Sequence, residues 1–137
     1  YEPGVIEAVG YTAGRETGRT RLVTAARPAS LRLTADRTML NAAYGDIAFV
    51  TVEVVDADGV LVQHGEPAIS LEVTGAAQLI AVGAANPLSE ELYVNSERKA
   101  YHGRLLAVVR TTGNAGEITI EAQSEGLPTA QIQIRAG

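Results

Sequence analysis

The fold is decided by residues 47–59, which are Ile-Ala-Phe-Val-Thr-Val-Glu-Val-Val-Asp-Ala-Asp-Gly in order. Valine occupies every second position from Val50 to Val54, and Thr51 and Glu53 lie between the valines. This period of two predicts a β-strand with one buried face and one solvated face. The strand should end at the turn 56–59, because Gly59 can take a positive φ at little steric cost.

The same alternation recurs on both sides of this strand. It covers residues 31–34, 69–73, 117–122 and 130–135. Residues 105–109 are apolar throughout, which predicts a central strand or one covered by a neighbouring element. Turn-forming residues at 44–46, 112–116 and 125–128 separate the runs, and no amphipathic helix of ordinary length lies between them. The pattern predicts an all-β fold, an immunoglobulin-like antiparallel β-sandwich of about seven strands, in preference to a barrel.

Two regions depart from this rhythm. Residues 87–102 are polar and rich in Glu and Arg, and we predict one long inter-strand loop there, with a possible single helical turn starting at residues 89–91. Phe49 falls on the nominally solvated face of its strand, which indicates a bend or a contact with another domain.

The N-terminal region is predicted to be a hairpin, with strands over 5–11 and 19–24 around a turn at 13–15. A linker follows at 25–29, where Pro28 favours extended geometry in the residue before it. A lone hairpin is marginal in water. We therefore divide the chain into 1–28, the closing strands of a preceding β-domain with a linker, and 29–137, the sandwich. The chain is expected to be part of a longer protein.

The composition and charge of the chain argue against several classes of function. The 137 residues suit one domain, and aromatic residues make up only 4%, so the core must consist of Val, Ile, Leu and Ala. The net charge is −5 and no Lys/Arg cluster is present, which argues against a nucleic-acid surface. The absence of cysteine excludes disulfides, thiolate metal sites and a cysteine nucleophile. No stretch approaches the roughly 20 apolar residues of a membrane span.

Several short motifs, in order, resemble the C-terminal immunoglobulin-like domain of glycoside hydrolase family 2, the bacterial β-galactosidase group. The motifs lie at residues 1–9, 24–29, 35–37, 46–59, 91–93 (Glu-Leu-Tyr), 98–103 (Arg-Lys-Ala-Tyr-His-Gly), 105–110, 115–120 and 124–127. The resemblance covers nearly the whole chain. One departure follows Val82-Gly83, where such domains often carry an Asn-Gly-Asp type of turn and this chain has Ala-Ala-Asn-Pro. Alanine cannot offer the polar groups of such a turn to a ligand or a neighbouring domain.

The resemblance implies an accessory role. Enzymes of this family hydrolyse β-galactosides or similar glycosides with two Glu residues on a separate (β/α)8 barrel, so no catalytic residue is carried over to this chain. The resemblance implies a non-catalytic structural domain that supports domain packing or oligomerisation, in a periplasmic or secreted bacterial enzyme. Its expected partners are the catalytic and neighbouring β-domains of the same polypeptide, with self-association through residues 1–28 as a further possibility. No cofactor is expected.

Other chemistries find weak support in the residues. Glu90 and Glu91 are adjacent, whereas a retaining glycosidase needs two carboxyl groups about 5 Å apart across the sugar. The segment 56–59 resembles a calcium loop but lacks its further acidic ligands, so we predict a hairpin turn. The only histidines, His64 and His102, are too few for a zinc site without cysteine, and we predict both in loops or on the surface.

The most informative polar set is Glu91, Tyr93, Arg98 and Tyr101. The favoured interpretation is that Arg98 pairs with Glu91 while the two rings pack the long loop onto the sandwich, since an Arg–carboxylate fork holds a loop well. The alternative is a platform for a sugar or a protein partner. Two other functions therefore stay open: a carbohydrate-binding module of the same enzyme, and a bacterial adhesion-type immunoglobulin-like repeat.

Overall fold

The structure, a computed structural model, describes residues 2–137, with only the main chain of Tyr44. Tyr1, the first residue of the predicted closing strands, lies outside the described residues. In chain order the elements are β1 (Val5–Thr12), β2 (Arg15–Val23), β3 (Ser30–Ala35), β4 (Met39–Leu40), a 3-10 helix (Ala42–Tyr44), β5 (Ile47–Val55), β6 (Ala68–Gly75), β7 (Ala77–Gly83), β8 (Glu97–Lys99), β9 (Arg104–Thr111), β10 (Gly116–Gln123) and β11 (Ala130–Ala136).

Over residues 30–136 the strands form two sheets that pack face to face. One sheet has the order β4-β11-β10-β6-β8 and the other the order β3-β5-β9-β7. All pairs are antiparallel except β4 with β11. This is the predicted all-β sandwich. The apolar run 105–109 lies in β9, between β5 and β7, so the prediction of a central strand is confirmed.

The core follows from the alternation. In β5 the four side chains from Ala48 to Val54 at even positions are fully buried, while Phe49 on the opposite face is exposed. Ile69, Ile118 and Ile120 come from the facing sheet and are also fully buried. The two sheets therefore join Val, Ile, Leu and Ala side chains into one apolar layer, as the composition predicted.

Seven strands of residues 30–136 are six or more residues long, and the sequence missed one of them, β7. A register shift between Leu79 and Ala81 breaks the period of two there, which hides the strand from pattern analysis. The two short strands, β4 and β8, were also missed because two or three residues carry no period.

The prediction of one uninterrupted loop over 87–102 is wrong, because β8 lies within it and pairs with β6. The possible helical turn at 89–91 does not form either. The Ser89 hydroxyl accepts the N–H of Glu91, two residues on, a local bond that competes with helix formation.

The predicted N-terminal hairpin is confirmed as β1 paired with β2, although β2 begins at Arg15 and not at residue 19. Its turn places Ala13 at φ 50° and Gly14 at φ 77°. Among the described residues neither strand pairs with a sheet of the sandwich, and nearly all of their side chains are exposed. The hairpin is held by its own ladder and by an ion pair between Arg19 and Glu7.

Candidate functional site

Arg98 lies at the centre of a cluster that joins the 84–96 loop to the sandwich. Its position in β8 turns the side chain inward, and only 2% of it is exposed. Nη1 donates to the main-chain oxygens of Val82 (3.2 Å) and Glu91 (3.1 Å), and Nη2 donates to the Ser89 hydroxyl (3.3 Å). One guanidinium thus binds the end of β7 and two points of the loop. We call Ser89, Glu91, Tyr93 and Arg98 the Arg98 cluster.

Tyr93 and Glu91 complete the cluster in different ways. The Arg98 Cζ atom lies 4.6 Å from the centroid of the Tyr93 ring, a cation–π distance. The Arg98 Nε atom is 3.9 Å from Oε2 of Glu91 and makes no hydrogen bond within the described residues. Arg98 and Glu91 therefore form the predicted ion pair. They do not form a hydrogen-bonded fork, because Nη1 and Nη2 donate to main-chain carbonyls and a hydroxyl instead.

The Glu91 carboxylate has partners of its own. Oε2 accepts the Ser89 hydroxyl at 2.9 Å, and Oε1 accepts the Lys99 N–H at 3.1 Å. Burial raises the pKa of this carboxyl, but the Lys99 N–H, the Ser89 hydroxyl and the positive charge of Arg98 outweigh it, so the pKa is lowered overall. Glu91 is therefore ionised at neutral pH.

Tyr101, the fourth predicted residue, lies apart from the Arg98 cluster. It begins a two-residue turn with Arg104 around His102 (φ 49°) and Gly103 (φ 73°). Its ring meets the His102 ring edge-on at 4.3 Å. A Cβ on Gly103 would lie 2.1 Å from the Val62 carbonyl oxygen, so this turn requires glycine for space as well as for φ.

A groove of about 510 Å³ opens beside this turn. Its lining includes Thr51, Leu106, Tyr101, His102 and residues 83–85. Ala84 and Ala85, which follow Val82-Gly83, contribute no side-chain hydrogen-bonding group to it.

Asp56 forms a second polar site that the sequence did not reveal. The residue is 4% exposed, and its Oδ1 accepts the N–H groups of Asp58 (3.0 Å) and Val60 (2.8 Å), which closes the predicted turn. Its Oδ2 accepts the N–H of Ala26 at 2.8 Å, thirty residues back in the linker. The Ala26 bond, then the Val60 and Asp58 bonds, lower the Asp56 pKa against the opposing effect of burial. One carboxylate thus fixes both the turn and the linker.

Glu53 joins two arginines on the outer face of the four-stranded sheet. It accepts Arg32 Nη2 at 2.7 Å and Arg104 Nε at 2.9 Å. Burial raises the Glu53 pKa, but the hydrogen bonds and charges of Arg104 and Arg32 outweigh this effect, so the pKa is lowered overall. Arg32 also donates to the Gly59 carbonyl at 2.9 Å, so this trio is continuous with the Asp56 turn.

Among residues 2–137 no group of three or more His, Asp and Glu side chains could hold a metal ion. Both carboxylate oxygens of Asp56 accept N–H bonds, and the predicted turn at 56–59 is confirmed by a bond from Gly59 N to Asp56 O of 3.0 Å. His64 and His102 are exposed in loops, as predicted. None of the described helices has the length and apolar character needed to cross a membrane.

Comparison with known proteins identifies the family to which the chain belongs. Residues 31–133 match the family described as glycoside hydrolase family 2 C-terminal domain 5. The β-galactosidase BoGH2A of Bacteroides ovatus is 35% identical over 136 residues, which are 99% of this chain and 16% of that protein. A β-galactosidase of Thermoanaerobacter pseudethanolicus is 31% identical over 119 residues, 87% of this chain and 14% of that protein.

A solved glycosyl hydrolase family 2 member from Bacteroides cellulosilyticus superposes with a TM-score of 0.94 at 36% identity, over 100% of this chain and 18% of its own. The chain thus spans less than a fifth of each of these relatives. The match covers the sandwich with its two sheets, the Arg98 cluster and the Asp56 turn. The chain belongs to the glycoside hydrolase family 2 C-terminal domain 5 family.

Proposed function

We propose that this chain is a non-catalytic accessory domain of a β-galactosidase-like family 2 glycoside hydrolase, and that it supports the packing of the neighbouring domains or their oligomerisation. In this proposal residues 1–28 are the closing strands and linker of a preceding β-domain. The two β-galactosidases that resemble this chain, each several times longer, support the proposal for the parent enzyme.

The anchoring of the linker is the observation that carries this role. Asp56 binds Ala26, and the Ala29 N–H donates to the Val55 carbonyl at 2.8 Å. A linker held at two points by a rigid sandwich cannot swing freely. A domain attached before residue 24 would therefore have a restricted orientation, as a packing role requires.

The Arg98 cluster supports the same role. Its donors satisfy main-chain carbonyls, and its carboxylate accepts the Lys99 N–H of β8 and the Ser89 hydroxyl of the loop. We propose that Glu91, Tyr93 and Arg98 pin the 84–96 loop. In this proposal these polar side chains hold the loop in a fixed conformation and take no part in bond cleavage.

The test uses the full-length polypeptide that contains this chain, with and without residues 29–137. We expect the truncated enzyme to hydrolyse β-galactosides with its catalytic groups intact, but to melt at a lower temperature or to lose its oligomeric state. Calorimetric melting, sedimentation and initial rates would show this. Unchanged melting and assembly would contradict the packing role, and an inactive full-length protein would contradict the parent activity.

Carbohydrate binding is the second candidate, and the groove beside Tyr101 is the observation that favours it. An aromatic ring that lines a groove can stack on a sugar face. Calorimetric titration of the 137-residue chain with galactosides and plant oligosaccharides is the test, with Tyr101→Ala as the matched variant. Heat that saturates and is lost in the variant would establish this function.

A further inference from the structure

Part of the outer face of the β3-β5-β9-β7 sheet carries three neighbouring apolar side chains, Phe49, Leu106 and Val108, beside the polar side chains of the same face. Alternation in β5 places Phe49 and Thr51 on this face, and alternation in β9 places Leu106 and Val108 there. The register sets Phe49 opposite Val108 and Thr51 opposite Leu106, so the four side chains are neighbours. Phe49 is 43% exposed and Leu106 is 38% exposed. We call these four residues the outer apolar face.

The groove extends this surface toward one end of the sandwich. Thr51 and Leu106 belong both to the outer apolar face and to the groove, which Tyr101 also lines. A partner seated on the sheet could therefore place a side chain in a concave site at the edge of the same surface. A flat apolar centre with an adjoining pocket is the usual anatomy of a protein–protein contact.

The linker leaves the sandwich at this same end. Gly103, in the turn beside the groove, accepts the Val54 N–H at 2.9 Å, and Asp56, two residues further on, holds Ala26. Any polypeptide that precedes residue 24 therefore starts close to the groove. Such a short tether gives an attached domain a high effective concentration at this surface, compared with a separate molecule.

The charged side chains at the linker end of the face favour a partner with negative charge. The linker end of the face has two guanidinium groups, Arg32 and Arg104, for the one carboxylate of Glu53, in a chain whose net charge is −5. Arg104 uses Nε for Glu53, and its side chain is otherwise largely exposed. A partner with a carboxylate would be attracted to this end of the face.

We infer that the outer apolar face and its groove are the docking surface for the preceding part of the same polypeptide, which presents apolar side chains and at least one carboxylate toward Arg104. This inference rests on the proposed function, since it requires the chain to be one domain of a larger enzyme. It adds which surface is covered and by what chemistry.

Carbene footprinting of the full-length polypeptide tests the inference, because it labels exposed side chains in the intact protein. Leu88 is 88% exposed in the 84–96 loop and serves as the internal reference. We expect Phe49 and Leu106 to be labelled at least about fivefold less than Leu88 after correction for side-chain type, since the core of an interface is packed like a protein interior. Protection should be the same at low and high protein concentration.

The variant Leu106→Lys should restore labelling of Phe49, while Leu92→Lys, the matched control at a leucine that is 66% exposed, should leave it protected. Labelling of Phe49 and Leu106 at the level of Leu88 would overturn the inference. Protection that disappears on dilution would overturn it in favour of a second copy, and protection that appears only with added galactoside would overturn it in favour of a sugar. Glycosidase activity of the same samples separately reports the proposed function, so the two can fail independently.

Discussion

Two turns of this molecule have the same backbone geometry and different surroundings. Thr12 to Arg15 closes the N-terminal hairpin around Ala13 and Gly14, and Tyr101 to Arg104 closes a turn around His102 and Gly103, with both central residues at positive φ in each case. A Cβ added to Gly14 would meet nothing within 4 Å, whereas one added to Gly103 would collide with the Val62 carbonyl. Local geometry is therefore shared, and only tertiary packing makes the second turn intolerant.

The strands show the same difference. Ile6 in the hairpin is 74% exposed and Ile120 in the sandwich is fully buried, although both belong to antiparallel ladders. The hairpin has no second layer within the described chain, and the sandwich has one. Since burial of apolar surface dominates folding stability, the comparison predicts that equal substitutions have unequal effects in the two regions.

The largest effect is expected from Ile120→Ala. It should lower the free energy of unfolding by about 3 to 4 kcal/mol, because it removes buried methyl groups and leaves a cavity. Ile6→Ala in the hairpin should change it by less than about 0.5 kcal/mol. Urea unfolding of the 137-residue chain measures both. Equal losses would mean that the hairpin is as well packed as the sandwich, which would break the comparison.

The second-largest effect is expected from Gly103→Ala, which should lower the free energy of unfolding by more than about 2 kcal/mol. The substitution combines an unfavourable positive φ with a collision against the main chain. Gly14→Ala carries only the φ cost and should change the sandwich transition by less than about 1 kcal/mol. Thermal and urea unfolding of the two variants side by side is the measurement. A tolerated alanine at 103 would show that the Val62 segment can move away.

Arg98→Met is expected to cost about 2 kcal/mol, since it leaves the buried carbonyl of Val82 and the partly buried carbonyl of Glu91 without their donor. Arg21→Met, on the exposed hairpin, is the matched control and should cost less than about 0.5 kcal/mol. Unfolding free energies give the comparison, and proteolysis of the 84–96 loop should become faster in the Arg98 variant alone. A loop that stays equally resistant would argue against pinning.

The smallest effect is a change in pH dependence at Asp56. Because its pKa is lowered in the folded chain, the ionised carboxylate adds stability that is fully present above the ordinary value of 3.8 and is lost as the pH falls below it. Asp56→Asn removes this contribution, so the unfolding midpoint of the variant should fall less steeply on acidification than that of the unsubstituted chain. Plotted against pH, the midpoints of the two proteins should converge at low pH. Asp58→Asn, a change at a side chain outside these bonds, should keep the steep profile. Parallel curves for Asp56→Asn would contradict the assignment.

The sequence predicted the long strands well, because each has enough residues to show its period. β5, β6, β10 and β11 alternate over five or more positions, and β9 is marked by its continuous apolar run. β7 was not predicted, because its register shift moves side chains from one face of the sheet to the other in the middle of the strand. β8 escaped because a three-residue strand is defined by its pairing with β6 and not by any pattern of its own.

The candidate site was predicted in part. Glu91, Tyr93 and Arg98 are close in sequence, and the structure joins them, yet the acceptors of Arg98 are main-chain oxygens that no side-chain pattern can indicate. Tyr101 was grouped with them by proximity in sequence, but the reversal at Gly103 places it in the groove.

The sequence by itself determined the fold class, the composition of the core and the family, because alternation, turn residues and ordered motifs are local properties of the chain. The tertiary structure alone decided that Asp56 reaches back to Ala26, that Gly103 lies against Val62, and that Phe49 and Leu106 share one exposed face. These contacts join residues 30 to 57 positions apart, and their partners are fixed only when the two sheets pack and set the register of every strand.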